Sequence, residues 1–443
     1  MATLDRWSHL LSGPVTIAFP KLQLIGRDYD PPLVEGSGEM RVANLSKFDF
    51  TLRGKPHDPA FAEAQFLRQQ LSPYDPLARF RLFGTDANEV EWALGWTIPT
   101  VDSSTEEWVL SCQTDGISTV DQSEGTARDS STELLFVIPP EHPLIRLMRS
   151  APSFVKNGRH VSRVLDTEVM VTYDATRSAL SITAQHSEYF PPTFTENWLG
   201  EPFRILFGQL IFPRLVARNL GAGRSHVMVR RANRLSTRTT WAALLGRETR
   251  LNVESDFWRQ YEQLLALIAR ARDKEGNPNF EANRITRLYE EIIQATTGTR
   301  WVWALTLASS IEAIVNMLGA KGLPKEDMSE AVRDKFVEDI ATLKSGDERL
   351  RQIAINAVNR ASKASTIDVL RALVSRDVIT ANQLDAWQDI RNAVMHGSLV
   401  SPYSSQEEDS KLLALVAMMH ALTVEVLRLS AHLPSRRFKH EGR

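Results

Sequence analysis

The amino-acid sequence predicts an α+β protein of more than one domain. A β-rich region, sandwich- or barrel-like, covers residues 1–250, and an all-helical bundle covers residues 251–443. Three observations carry this prediction. At 443 residues the chain is longer than one ordinary hydrophobic core accommodates. Its first half is written in short alternating runs of apolar and polar residues, broken by Gly, Pro and Asp. From about Ser255 the apolar residues recur at helical intervals almost to the end.

The first-half elements follow in order. Val15–Phe19, Lys21–Ile25, Glu39–Val42, Phe48–Leu52, Arg79–Phe83 and Glu89–Leu94 each read as a strand with one buried face, and Asp58–Leu71 reads as a helix inserted among them. Trp108–Leu110 and Leu134–Ile138 continue the strand pattern around Ser111–Thr132, whose Ser, Thr and Asp content predicts a hairpin or loop. Val164–Tyr173 and Ala179–Ala184 form a second strand set after a subdomain break placed near 150–160. Phe203, Leu206, Phe207, Leu210, Ile211 and Leu215 give Gly200–Leu220 helical spacing, with Pro202 suited to a first turn and Gly221 to a stop. Gly221–Ser225 lacks the Gly-Lys-Ser/Thr ending of a phosphate loop and reads as a turn, followed by a strand at His226–Arg230.

The second half predicts helices over Asp256–Arg272, Asn283–Ala295, Arg300–Leu318, Ser329–Leu343, Glu348–Ser362, Ile367–Ser375, Ala381–His396 and Glu407–His432. Gly276–Pro278, Gly319–Pro324, Gly346 and Ser401–Pro402 separate them. Helices that each bury one stripe assemble as a bundle.

Composition narrows the function classes. The formal net charge of −2 gives no overall pull toward nucleic acid, but it conceals a local asymmetry. Asp102–Glu141 holds nine acidic residues against one Arg, and Arg214–Arg250 holds nine Arg against one Glu. Cys112 is the single cysteine, which excludes an intrachain disulfide and a cysteine-rich metal site. The first residues carry no basic stretch followed by an apolar one, and Phe203–Val216, taken as the most membrane-like stretch, is short and interrupted by Arg and Pro. A cytoplasmic protein without a membrane segment is expected. The sequence has no His-Glu-x-x-His, no Walker loop, no nucleophile elbow and no His/Cys cluster, so neither a metal nor a nucleotide cofactor is expected.

One stretch concentrates chemistry. In Leu384–Gly397, Leu384, Trp387, Ile390 and Val394 define an apolar helix face, while Asn392 and His396, four residues apart, share a different side. Gly397 is a stop signal, which places His396 in the last turn at the negative end of the helix dipole. Arg-x4-His alone is expected about once by chance in such a chain; Asn directly after the Arg makes the pattern specific. The bland reading is a surface Arg, a capping His and an inconsequential Asn.

Arg391-Asn392-x3-His396-Gly397, near the end of an all-helical region, resembles the signature of the HEPN superfamily, an Arg-x4-6-His motif with a polar residue after the Arg. A β-rich region joined to such a domain is most similar to the anti-phage ApeA-like HEPN proteins. The resemblance implies a metal-independent endoribonuclease effector of phage defence, acting on RNA as a homodimer. Two Arg–His helices would face each other across a two-fold axis to form one composite site, and the N-terminal region would sense a phage-derived trigger. His396 would be general base or acid for attack of the ribose 2′-OH on the adjacent phosphate. Arg391 would hold the phosphate and stabilise developing charge, and Asn392 would orient either. The chemistry is coherent: the 2′-OH is an internal nucleophile, so proton transfer and charge stabilisation suffice, and DNA is excluded.

Two acidic residues accompany the trio. Glu312 lies on the apolar side of its helix, seven residues after Leu305, where a semi-buried carboxylate requires a partner; Arg391 is one candidate and a backbone group or another Arg the other. Asp389 flanks the trio or is a solvated surface residue. Arg224, Arg230, Arg231, Arg234 and Arg238 either track RNA phosphates or pair with acidic residues of their own domain. Two further readings stay open: a non-catalytic RNA- or protein-binding module, and the toxin half of a toxin–antitoxin pair.

Overall fold

The computed structural model describes the chain except residues 1–2, 12–13, 27–30, 45–46, 76–77, 123–129, 188–189, 233–234, 237–239, 246–252, 278, 280–282, 320–322, 324–329, 344–346, 398–399, 402, 404 and 432–443. A β-rich region is followed by a helical one, an α+β protein. The chain divides into two compact units, Met1–Thr239 with Asn252–Ala282, and Thr240–Leu251 with Asn283–Arg443.

The first unit opens with helix α1 (Thr3–Trp7), strands β1 (Val15–Ile25), β2 (Val34–Asn44) and β3 (Lys47–Pro56), and helix α2 (Pro59–Leu71). Strands β4 (Phe80–Thr85), β5 (Glu91–Thr97), β6 (Thr100–Asp102), β7 (Trp108–Thr114), β8 (Gly116–Gln122) and β9 (Ser131–Val137) follow. Helices α3 (Pro143–Ser150) and α4 (Pro152–Asn157) lead into β10 (Arg159–Val164), β11 (Thr167–Asp174) and β12 (Ala179–Gln185). Helix α5 (Pro192–Phe207), strands β13 (Leu215–Asn219) and β14 (Arg224–Arg230), and helix α6 (Val253–Ala269) complete the unit. Among the described residues the fourteen strands form one sheet in the order β10-β11-β12-β9-β13-β14-β8-β5-β4-β1-β2-β3-β7-β6. The region near 150–160 is filled by α3 and α4, and the strands before and after it belong to this same sheet.

Within that order β8 and β7 end a seven-strand run, yet only Asp115 separates them in the chain. The run therefore curls until its ends meet. Alternate residues, including Leu22, Leu24, Met40, Phe50, Leu52, Leu82, Leu94 and Leu110, converge on one core as the period-two pattern requires. Strand β9 is buried on both faces: Leu135 joins that core, whereas Phe136 meets Phe203 of α5 with ring centroids 5.8 Å apart. Behind it, α5 and α6 pack through Trp198, Phe203, Phe257 and Tyr261. The indole N–H of Trp198 donates to the Leu265 carbonyl at 2.7 Å, and that of Trp258 to Met148 at 3.1 Å. Helix α6, read from sequence as the first helix of the helical half, is thus a layer on the sheet.

Two further elements differ from their sequence reading. Gly200–Leu220 is not one helix: α5 ends at Gly208, whose φ of 59° stops it, Pro202 lies inside the helix, and Leu215–Asn219 is strand β13 between β9 and β14. A strand buried on both faces loses the apolar–polar alternation that marks a strand, and Leu215 falls at a helical interval by accident. Val164 ends a separate strand, β10, and Leu165 and Asp166, both at positive φ, turn the chain into β11. Helix α1 is held by polar contacts at its first described residues. The Glu133 carboxylate accepts from the Thr3 and Leu4 amides at 3.2 and 3.3 Å and from the Asn219 side chain at 2.8 Å.

The second unit contains α7 (Arg284–Ala295), α8 (Arg300–Met317), α9 (Glu330–Thr342), α10 (Glu348–Ala361), α11 (Thr366–Ser375), α12 (Ala381–Met395) and α13 (Gln406–Ala431). Each begins within two residues of the position its spacing predicts. Helix α8 is the central element, packed by α7, α11, α12 and α13 around Leu307, Ile311, Ile314, Trp387, Leu415 and Leu422. Among the described residues helix α13, rather than Phe203–Val216, is long and apolar enough by composition to cross a membrane: an 18-residue window within Gln406–Ser430 has a mean hydropathy of 1.8, and 61% of that window is buried.

Burial pushes His142, His186 and His420 down to about 4. Unfolded imidazoles titrate near 6.5, so the unfolded chain takes up these protons first as pH falls. The stabilisation from neutral burial is complete above about 6.5 and is lost on acidification toward about 4. Urea melts across this range should show falling stability, and His420→Leu should flatten the decline for the second unit.

Candidate functional site

Helix α12 presents the motif. Its start is fixed by a capping box in which Thr380 Oγ1 accepts from the Gln383 amide at 3.3 Å and Gln383 Oε1 accepts from the Thr380 amide at 2.9 Å. Leu384, Ala386, Trp387 and Ile390 are buried, and the Trp387 indole N–H donates to the Ala308 carbonyl of α8 at 3.2 Å. At the other end the His396 amide donates to the Asn392 carbonyl at 3.0 Å, and Gly397, with φ of 71°, turns the chain out. A left-handed φ is available to glycine without a Cβ clash, which makes residue 397 the stop that the sequence predicts.

Arg391 meets Glu312 of α8, with Nε 3.7 Å from Oε2 and side chains 38% and 35% exposed. Its guanidinium lies 5.5 Å from the centre of the Trp387 ring. Glu312 Oε1 accepts from Thr366 Oγ1 at 3.4 Å, so both carboxylate oxygens are engaged. Of the two partners the sequence left open for Glu312, the structure thus brings Arg391 to it. Asn392 and His396 are exposed on another side. Five residues at the helical increment set Arg391 and His396 about 140° apart around the axis. One copy therefore displays a half-buried guanidinium toward α8 and an exposed imidazole and amide toward solvent.

Asp389 is exposed and accepts from Lys411 Nζ at 3.0 Å. Glu407 is the second partner at 3.3 Å, and the hydrogen bonds with Asp389 and then Glu407 push the Lys411 amine upward. Lys411 is a partner of Asp389 that sequence reasoning missed. Only its spacing four residues after Glu407 signals it, and nothing local links it to Asp389.

The arginine-rich stretch resolves into separate fates. Arg214 is fully buried: Nη1 donates to the Arg230 carbonyl at 2.5 Å and Nη2 to the Leu10 carbonyl at 3.2 Å, and burial lowers it to about 10. Glu196 of α5, itself buried, pairs with Arg218 at 2.5 Å and Arg230 at 2.7 Å. Arg231 pairs with Asp115 at 3.0 Å, and Arg224 is exposed. Arg234 and Arg238 lie outside the described residues. The five candidates are thus not one open cationic surface; Arg230 is committed to an internal ion pair.

Among the described residues no group of three His, Cys, Asp or Glu side chains is placed to hold a metal ion. Cys112 is buried and its thiol is pushed up to about 12, which leaves it unreactive. No family model, curated protein or solved structure matches the chain.

The ion pairs of Glu196 and of Glu312 differ in burial and should differ in worth. Glu196→Ala leaves Arg218 and Arg230 without their carboxylate inside the first unit, for an expected loss of about 3–5 kcal/mol in denaturant melts. Glu312→Ala breaks a half-exposed pair and should cost under about 1 kcal/mol.

Proposed function

We propose that the chain is a HEPN-type, metal-independent endoribonuclease, acting in the cytoplasm as an effector of anti-phage defence. The observation that supports this reading most directly is the end of α12, where Arg391 is held by Glu312 while Asn392 and His396 stand exposed on a helix whose core face is locked.

In this reading RNA supplies the nucleophile. The 2′-oxygen attacks the adjacent phosphorus, the P–O5′ bond breaks, and the products are a 2′,3′-cyclic phosphate and a 5′-hydroxyl. The His396 imidazole accepts the 2′-OH proton or donates one to the departing 5′-oxygen, the two roles an imidazole fills near neutral pH. Arg391 contacts Glu312 through Nε, which leaves its Nη groups for a phosphate oxygen and the charge that develops on it. Asn392, one turn before His396, orients the imidazole or the phosphate. Because Arg391 and His396 diverge around the helix, the second half of the site comes from a second copy across a two-fold axis. The N-terminal unit is the sensor that restrains the enzyme until a phage-derived trigger appears, and the exposed Arg224 adds a phosphate contact.

The test is purified protein with labelled RNA and excess EDTA. Cleavage should persist, leave 2′,3′-cyclic phosphate ends, spare DNA, and fall by about 100-fold or more in Arg391→Ala and His396→Ala. RNA left intact when trigger-containing lysate is added, or cut by both variants as strongly as by the wild type, removes the assigned site.

A further inference from the structure

Helices α9 and α10 form a hairpin whose chemistry is not accounted for by the fold. No described side chain of either helix is buried, although the pair spans 27 residues. Their mutual seam is made by half-buried Val337 and Ile340 on α9 and Ala354, Ile355 and Val358 on α10. Outside that seam lies a second apolar set. Val332, Phe336 and, just past the helix end, Leu343 recur at intervals of four and seven, and Leu350, Ile353 and Ala357 at three and four. Each set is a single stripe on its helix, and in an antiparallel hairpin the two stripes emerge on the same side. The side chains are open to water: Phe336 is 56% and Ile353 54% exposed. Helices of this length are marginal alone in water, and a contiguous exposed apolar face marks a contact surface.

Charge identifies the occupant. Helix α9 carries Glu330, Asp334, Glu338 and Asp339 against Arg333 and Lys335, whereas α10 carries Arg349, Arg351 and Arg360 against Glu348. One helix is net acidic and the other net basic by the same amount. Asp339 borders the α9 stripe and Arg349 lies beside the α10 stripe, and neither makes an ion pair among the described residues. A face with an acidic half and a basic half is complementary to itself when rotated about an axis parallel to the hairpin, which sets α9 of one copy against α10 of the other.

We propose that the α9–α10 face is a homotypic docking surface, covered by the same face of a second copy of this chain in a four-helix arrangement with α9 against the partner's α10. The apolar stripes form its centre and the opposed charges set its register. This surface is separate from the end of α12, and it stands whether or not the chain cleaves RNA.

The experiment is sedimentation of the full chain across a concentration series. The wild type should associate, and Phe336→Glu combined with Ile353→Glu should require roughly 100-fold higher concentration to do so. Asp339→Arg and Arg349→Asp, both surface changes, should each weaken association alone, and mixing the two chains should restore it because every α9–α10 contact then pairs opposite charges. A monomeric wild type, association unchanged in the double variant, or a mixture no tighter than its components would overturn the proposal. RNA cleavage measured on the same samples separates this result from the ribonuclease reading, since loss of docking with intact RNA chemistry and the reverse are distinct outcomes.

Discussion

The arrangement of the helical unit depends on the burial of Trp387. Its indole lies 1% exposed between helices and gives its N–H to the Ala308 carbonyl. Truncating a buried Trp typically costs about 3–5 kcal/mol. That contact fixes the rotation of α12 against α8, and rotation decides what each neighbouring residue does. Turning the helix by one residue, about 100°, would carry Arg391 away from Glu312 and press Asn392 toward the core. The motif is therefore less a property of three side chains than of the apolar face beneath them. The capping box at Thr380 and the stop at Gly397 fix the length of the display, and Trp387 fixes its direction.

The first unit uses its charged residues differently. Glu196 and Glu133 are buried carboxylates, one bonded to two guanidiniums and the other to the first amides of α1 and to Asn219. Buried charge is tolerated only when paired and hydrogen-bonded, so these residues join α5 and the N-terminus to a sheet that hydrophobic packing alone would leave free to slide. Arg214 extends the same logic, its guanidinium spent on main-chain carbonyls and lying 4.8 Å from the centre of the Phe48 ring. Part of the positive charge between Arg214 and Arg250 is thus structural.

What was legible in the sequence follows from the range of the interactions. Helix boundaries in the second unit are set by local rules, an apolar period and a cap such as Thr380 or Asn283, and they appear where spacing puts them. The semi-buried character of Glu312 was readable from its place on the α8 face, because periodicity alone fixes the side on which a residue lies. The fates of the arginines were not readable. Glu196 meets Arg218 and Arg230, and Asp115 meets Arg231, across separations that only the sheet order creates. Strand β13 failed for a related reason: burial on both faces erased the alternation that identifies a strand. The α9–α10 pair gave a helical period and no hint that its apolar residues would stay in water, since period reports a face and never what covers it.

In the ribonuclease proposed above, a helix that carries Arg and His five residues apart poses a geometric problem that a second copy would solve. At about 140° of separation, a phosphate held by one side chain would lie away from the other, and His396 is exposed, with the exposed Asn392 one turn before it. Bringing a second α12 opposite would let the guanidinium of one chain and the imidazole of the other approach one phosphate from two directions, which converts the divergence within a chain into convergence between chains. The Glu312 contact then gains a reason. An unpaired Arg391 would sample many rotamers at an entropic cost of about 2 kcal/mol when it engages a ligand, whereas a partner at Nε confines it beforehand and leaves the outer edge of the guanidinium toward the substrate. A weak, half-exposed ion pair suits that task better than a buried one, because it positions the side chain without neutralising the charge that the phosphate requires.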